Sequence, residues 1–160
     1  MSWERGRAEI ERLMADGELE RVTPSADIAA RLLGDADAHI KLAGKGVEDD
    51  PAGALQLSYD AARKASAALL AVQGLRATTR GGHIAVVDAV RAQFNDRGGM
   101  EVFGRLHALR RRRNRTEYPD LDSPGVNKDD AQQALETAQA TIDAAKRLLE
   151  SGRVGQFTEE

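Results

Sequence analysis

Apolar residues recur every three or four positions along most of this chain, which is the spacing of a helix that buries one face. The pattern predicts helices over residues 24–42, 51–73, 83–94, 100–118 and 127–151, after a short N-terminal helix over residues 3–16. Abundant alanine and an aromatic content of only 4% favour helix over sheet. We therefore predict an all-α protein, with the alanine-rich helix 51–73 at its centre.

The stretch over residues 100–120, MEVFGRLHALRRRRNRTEYPD, departs from this pattern. A rotation of about 100° per residue places an apolar stripe on one face of the helix. The same face continues as Arg110, Arg113 and Glu117, which are costly to bury unless they are paired. Pro119 ends the helix, because the residue before a proline is pushed out of helical geometry. The apolar stripe consists of Val102, Phe103, Leu106 and Leu109.

Two interpretations of the arginines remain open at this stage. In the first, Arg111, Arg112 and Arg115 face solvent, and Arg113 forms an ion pair with Glu117, four residues later. In the second, the arginines line a cleft between two subunits and contact phosphate there, while Glu117 or Tyr118 takes part in proton transfer. Asn114, inside the helix, is expected to need a polar partner under either interpretation.

The histidines are weaker candidates. His83 follows two glycines and is expected to cap or orient the start of a helix. His107 lies at the edge of the apolar stripe and is interpreted as a boundary residue rather than a general base. We assign no metal site and expect no cofactor, since the chain has no cysteine and shows none of the common catalytic or zinc-binding motifs.

The length of the chain indicates a single domain. The 160 residues suffice for one core, and we divide them into an N-terminal helical extension (1–22), a helical bundle (23–152) and a loose tail (153–160) anchored by Phe157. The net charge is −3, yet residues 105–115 hold six arginines and no acid, so any polyanion would bind at this segment rather than over the whole surface.

No apolar run reaches the ~18 residues of a membrane span, and the first residues lack the apolar core of a signal peptide, so we expect a cytoplasmic protein.

Three segments together resemble the HEPN superfamily of toxin-antitoxin and defence proteins. They are YDAARKASAALLAVQGLR, then GGH opening a helix, then LRRRRNRTEYPD ending one, and the resemblance covers roughly residues 25–150. It implies an up-and-down bundle of four to five core helices that dimerises across the predicted helix over residues 100–118, here called the arginine helix. It also implies a metal-independent ribonuclease whose active site pairs an arginine with a histidine four to six residues later. The arginine and asparagine of that motif carry over onto Arg113 and Asn114, with Arg112 as the alternative arginine.

The motif histidine does not carry over, because Glu117 stands in its place and no histidine follows His107. A carboxylate accepts a proton but would repel the scissile phosphate. The resemblance thus implies a variant that engages RNA or nucleotide phosphates and whose metal-independent ribonuclease activity is possible but compromised. Its implied partners are a second copy of the chain and a nucleotidyltransferase-type protein. The alternative is a non-catalytic dimeric module that binds a protein partner. The candidate catalytic residues are Arg113, Asn114, Glu117 and Tyr118, and the candidate phosphate-binding residues are Arg110 and Arg112.

Overall fold

The computed structural model of the protein describes residues 5–95, 101–122 and 125–158. Over this part of the chain the protein is an all-α bundle with one very small sheet, as the sequence predicts. The helices are α1 (Arg7–Ala15), α2 (Ala26–Gly46), α3 (Pro51–Gln73), α4 (Gly82–Phe94), α5 (Leu106–Glu117) and α6 (Lys128–Glu150). The strands are β1 (Leu19–Arg21) and β2 (Leu75–Ala77), and a 3-10 helix, Glu101–Arg105, leads into α5.

Helix α3 lies at the centre of the bundle, and its bounds are those predicted. It packs against α2, α4, α5 and α6, because alanines on several of its sides allow close approach. Its N-terminus is capped by Asp50, whose side chain accepts a hydrogen bond from the Gly53 amide at 3.0 Å. Gly74 ends the helix in the left-handed conformation that glycine adopts without strain. This helix is therefore the platform on which the other elements assemble.

Helix α2 differs from its prediction at both ends. Pro24 does not open it; Ser25 is the N-cap, and its hydroxyl accepts a hydrogen bond from the Ile28 amide at 3.0 Å. The helix also continues through Gly44 to Gly46, since a glycine lowers helix stability without stopping a helix that is packed. Helical spacing from Leu32 and Ala36 predicts that Ile28 faces inward, but this residue is 54% exposed, because the buried stripe instead runs along small residues. These are Ala29, Ala36 and Ala43.

The antiparallel pair of β1 and β2 was not predicted. Leu19 pairs with Ala77 and Arg21 with Leu75. The segment that follows α1 is thereby paired with the segment that follows α3. Three residues per strand are too few to show the alternation of a strand. The predicted turn over residues 74–82 therefore includes a strand.

Both ends of the described chain pack on the core. Helix α1 buries Ile10 and Leu13 completely, and lies against α4. Phe157, predicted as the one anchor of a loose tail, is 3% exposed, and its amide donates to the Gln73 carbonyl at 2.9 Å. Val154 is buried as well. The tail thus contributes two apolar side chains to the core.

The regular α-helix of the arginine segment begins only at Leu106, later than the predicted start at residue 100, because Glu101–Arg105 winds as a 3-10 helix. Phe103, Leu106 and Leu109 are buried as the apolar stripe requires. Residues 96–100, which include most of the predicted flexible connection, and Trp3 lie outside the described residues. Within the described residues, no helix combines the length and apolarity that a membrane crossing needs.

Candidate functional site

Five side chains from three helices meet where α5 crosses α3. Helix α3 contributes Tyr59 and Arg63, one turn apart, and α5 contributes Arg110 and Arg113, also one turn apart. Helix α4 contributes His83 from its first turn. We call these five residues the inner cluster. The three helices pack through faces that are mostly apolar, and the charged or polar side chains on those faces meet at this crossing.

Tyr59 is the buried floor of the inner cluster. The residue is 1% exposed, and its hydroxyl has no hydrogen-bond partner among the described residues. Burial raises the pKa of Tyr59 to about 12, although the positive charges of Arg63, Arg110 and Arg113 act in the opposite direction. The hydroxyl therefore stays protonated at neutral pH and is available as a donor.

His83 packs on Tyr59 rather than capping α4. The two ring centroids are 5.5 Å apart and the rings are tilted by 41°. Gly81 is the N-cap of α4, and no side chain caps the helix there. Burial lowers the pKa of His83, and the positive charges of Arg63 and Arg113 lower it further. The imidazole is thus held neutral beside the arginines.

The three guanidinium groups are compensated unequally. Arg113 forms an ion pair with Glu117 at 2.5 Å, and its guanidinium carbon lies 5.9 Å from the centroid of the Tyr59 ring. Arg63 lies 3.7 Å from Asp60, which leaves a loose pair. Arg110 has no carboxylate partner among the described residues. The cluster therefore holds three cations against two carboxylates.

Two of these arginines also have enclosed nitrogens without acceptors. The Nε atoms of Arg63 and Arg110 are buried and make no hydrogen bond to any described group. A buried N–H of a charged group without an acceptor is costly, because water no longer solvates it. Such an arrangement suits an anion that supplies the missing acceptors.

The structure brings some of the predicted site residues into this cluster and leaves others out. Arg110, Arg113 and Glu117 share one face, as the helical rotation predicts. Asn114 lies beside them, with its Oδ1 3.4 Å from Arg113 Nη1. Tyr118 is 74% exposed at the end of α5 and does not reach the cluster.

Arg112 lies on another side of α5. It forms an ion pair with Asp130 at the start of α6, and its Nη1 is 3.4 Å from Gln133 Oε1. Together with Arg115 and Thr116 it borders an open groove of about 650 Å³. The arginine motif thus divides into an inner pair, Arg110 and Arg113, and an outer group that is neutralised in part by α6.

His107 does not join the inner cluster either. Its Nε2 lies 2.7 Å from Asp88 Oδ1 on α4, so the imidazole ties α5 to α4. This contact fits the boundary role predicted from its position. Among the described residues there is also no group of three side chains able to hold a metal ion.

Comparison of the chain with protein-family models, curated proteins and solved structures finds no match. The chemistry of the site therefore has to be argued from its own geometry. A neutral phenol, a neutral imidazole and three guanidinium groups form a donor-rich, positively charged site. Donors of this kind match an anion with several acceptor oxygens.

Sequence reasoning missed Tyr59, Arg63 and His83 as site residues. Helical spacing from Leu55 and Ala62 places Tyr59 in the core stripe of α3, which the burial of the residue confirms, but it gives no reason to expect a hydroxyl without a partner among the described residues. One signal was present: Arg63 lies four residues after Tyr59, so a cation adjoins the core face of an otherwise alanine-rich helix. No pattern along the chain, however, indicates that α4 brings His83 to the same place.

Proposed function

We propose that this protein is a HEPN-like domain that engages RNA or nucleotide phosphates through the inner cluster, in a toxin-antitoxin or defence setting. The observation that carries the proposal is the guanidinium of Arg110, which has no partner among the described residues and lies beside Arg63 and Arg113. Buried or half-buried cations are normally paired, because desolvation of an uncompensated charge is expensive. A phosphate group supplies both the negative charge and the paired oxygen acceptors that guanidinium groups bind best.

Engagement is favoured over efficient cleavage by the state of Glu117. Its carboxylate is held by Arg113 at 2.5 Å, so it must leave this ion pair before it can accept a proton from a ribose hydroxyl. A carboxylate at this position also repels a phosphate that approaches Arg113. Any metal-independent ribonuclease activity is therefore expected to be weak.

A second candidate function is a dimeric interaction module that binds a protein partner such as a nucleotidyltransferase-type protein. It is favoured by two large side chains beyond the end of α5, Tyr118 and Leu121, of which the first is 74% exposed and the second fully exposed. Exposed aromatic and aliphatic groups next to cations are common in protein interfaces. In this hypothesis the pairs of Arg113 with Glu117 and of Arg112 with Asp130 are structural.

Binding and cleavage of a mixed pool of single-stranded RNA in EDTA distinguish the two functions. Wild type, Arg113→Ala and Glu117→Ala are compared, with Arg111→Ala as the control because Arg111 is exposed on the same helix. We expect Arg113→Ala to weaken RNA binding by about tenfold, the equivalent of one charge-assisted hydrogen bond. Its free energy of unfolding should fall by no more than about 1 kcal/mol, since the lost ion pair is partly exposed.

Other outcomes point elsewhere. If wild type binds RNA no better than Arg113→Ala, the phosphate proposal is wrong. Loss of several kcal/mol of dimer stability in that variant would instead support the interaction module. Cleavage by wild type that disappears in Glu117→Ala, with the fold intact by circular dichroism, would assign the proton transfer to Glu117.

A further inference from the structure

The donors that lack acceptors are concentrated in one place. Four buried side-chain groups among the described residues have no hydrogen-bond partner, and three of them are Tyr59 Oη, Arg63 Nε and Arg110 Nε. Folded proteins rarely leave buried donors unmatched, and each exception calls for an explanation. Three exceptions in one cluster, contributed by two helices, indicate a site that is complete only when a ligand is bound.

The number and charge of these groups restrict the ligand. A phosphate at the end of a nucleic acid chain has three non-bridging oxygens, whereas an internal phosphodiester has two. A phosphomonoester also carries a charge of about −1.5 to −2 at pH 7, against −1 for the diester. Three donors without acceptors and an excess of positive charge therefore fit the monoester better.

The two neutral rings add to this selectivity. Tyr59 keeps its proton at neutral pH because burial raises its pKa to about 12, so its hydroxyl can donate to an oxygen anion. Its ring is fixed between His83 at 5.5 Å and the Arg113 guanidinium at 5.9 Å. A donor on a ring packed in this way has little freedom to turn toward another acceptor, which is the preorganisation that selective binding needs.

We propose that the inner cluster is a subsite for the terminal phosphate of an RNA or nucleotide, bound by the Tyr59 hydroxyl and the Nε groups of Arg63 and Arg110. This inference rests on the proposed function and narrows its substrate class. A phosphate at the 5′ end and one at the 3′ end present the same chemistry. The internal part of the chain would then lie outside the cluster, toward the partly exposed Arg113 and Glu117.

The test uses RNA oligonucleotides of one sequence that carry a 5′-phosphate, a 3′-phosphate or hydroxyl groups at both ends. Their affinities for the wild-type protein are measured by fluorescence anisotropy in EDTA, with inorganic phosphate as competitor. We expect one phosphorylated form to bind at least about tenfold more tightly than the hydroxyl form. The form that gains affinity identifies the end that is recognised.

The Tyr59→Phe variant separates a ligand-binding hydroxyl from a structural one. Phenylalanine keeps the ring against His83 and removes only an oxygen that has no partner, so stability in denaturant should be unchanged or higher. The preference for the terminal phosphate should fall by about tenfold, whereas Arg111→Gln should retain it. Arg110→Met should lose the preference as well, while keeping an apolar stem that reaches about as far as the Arg110 Nε.

Three results would overturn the inference, and they differ in whether they also contradict the proposed function. Equal affinity for all three RNAs, or a preference that survives in Tyr59→Phe, would contradict the terminal-phosphate subsite but leave RNA engagement standing. No binding of any of the three would contradict both the subsite and the proposed function.

Discussion

Arg110 occupies a position that an apolar residue would fill in an ordinary bundle helix. It follows the buried Leu109 and lies on the face that packs toward α3. An arginine can occupy such a position when its aliphatic stem is buried and its charged end reaches a polar space. Here the polar space is the inner cluster, where the Arg110 Nε is buried and has no acceptor in the described part of the chain. The residue therefore gives up stability that a leucine would provide, which is a common property of ligand-binding positions.

His83 provides a pH test at the scale of one residue. Its folded pKa lies below the ordinary value of 6.5 because the ring is buried beside Arg63, Arg113 and Arg110, and Asp60 offsets this only in part. The unfolded chain thus binds the proton more readily. The stability linked to this neutral imidazole is fully present above pH 6.5 and is lost as the pH falls toward the lowered folded pKa.

We predict that the free energy of unfolding of the wild type falls more steeply than that of His83→Gln as the pH is lowered from about 7.5 to about 5.5. Urea unfolding of both proteins at several pH values measures this difference. Because all other titrating groups are common to the two proteins, their contributions cancel to first order. Parallel curves for the two proteins would show that His83 is not held neutral by its surroundings.

The sequence correctly predicts which residues share a face of one helix, but it does not predict which residues of two different helices come into contact. The rotation of a helix correctly places Arg110, Arg113 and Glu117 on one face, and the spacing of four correctly predicts the Arg113–Glu117 ion pair. The contact of Tyr59 with His83 joins α3 to α4 across the bundle. Such a contact depends on the packing of two helices, which no local pattern encodes.

At the scale of elements, long periodic helices were predictable and short irregular pieces were not. Helix α3 has the predicted bounds, and α6 starts after Asn127, whose side chain forms a capping box with Asp130. The strands β1 and β2 have three residues each and pair through the backbone, so their side chains carry almost no signal. In α4, the spacing from Ile84 to Val87 predicts that Ile84 faces inward, but it is 49% exposed, because the first turn of a helix is often only partly covered.

The two glycines before His83 have a definite role in positioning α4. A Cβ atom on Gly81 would lie 2.1 Å from the Glu18 carbonyl oxygen and 2.7 Å from the Ala85 Cβ. The start of α4 can therefore approach the turn between α1 and β1 only if residue 81 is glycine. This close approach fixes the start of α4, and with it the position of His83 beside Tyr59.

We predict that Gly81→Ala lowers the free energy of unfolding by about 1–3 kcal/mol, because backbone and side chain must shift to admit the methyl group. Gly34→Ala is the matched control: Gly34 is exposed within α2, and nothing lies within 4 Å of the added Cβ. That variant should gain about 1 kcal/mol from the higher helix propensity of alanine. Denaturant unfolding of both variants measures the contrast, and similar effects at the two positions would contradict the packing described for Gly81.

At the scale of the whole molecule, the charge favours binding of a polyanion at one place over its adsorption to the whole surface. The net charge is −3, and several described cations outside the inner cluster form ion pairs with carboxylates. Arg112 with Asp130 and Lys146 with Asp37 are examples that join two helices. Because the net charge is negative, a polyanion gains little from the surface as a whole, and we expect its affinity to depend on the arginines of α5 and of the inner cluster.

Phosphate binding by the inner cluster is tested most directly by an NMR titration of ¹⁵N-labelled protein with 5′- and 3′-phosphorylated RNA, following the arginine Nε–H signals. Arg63→Lys and Arg110→Lys assign the two signals of interest. We predict that the signals of Arg63 and Arg110 move together and exchange more slowly with water as RNA binds, because each N–H gains an acceptor. RNA binding that leaves both signals unchanged, or that moves only the signals of exposed arginines such as Arg111, would contradict this prediction.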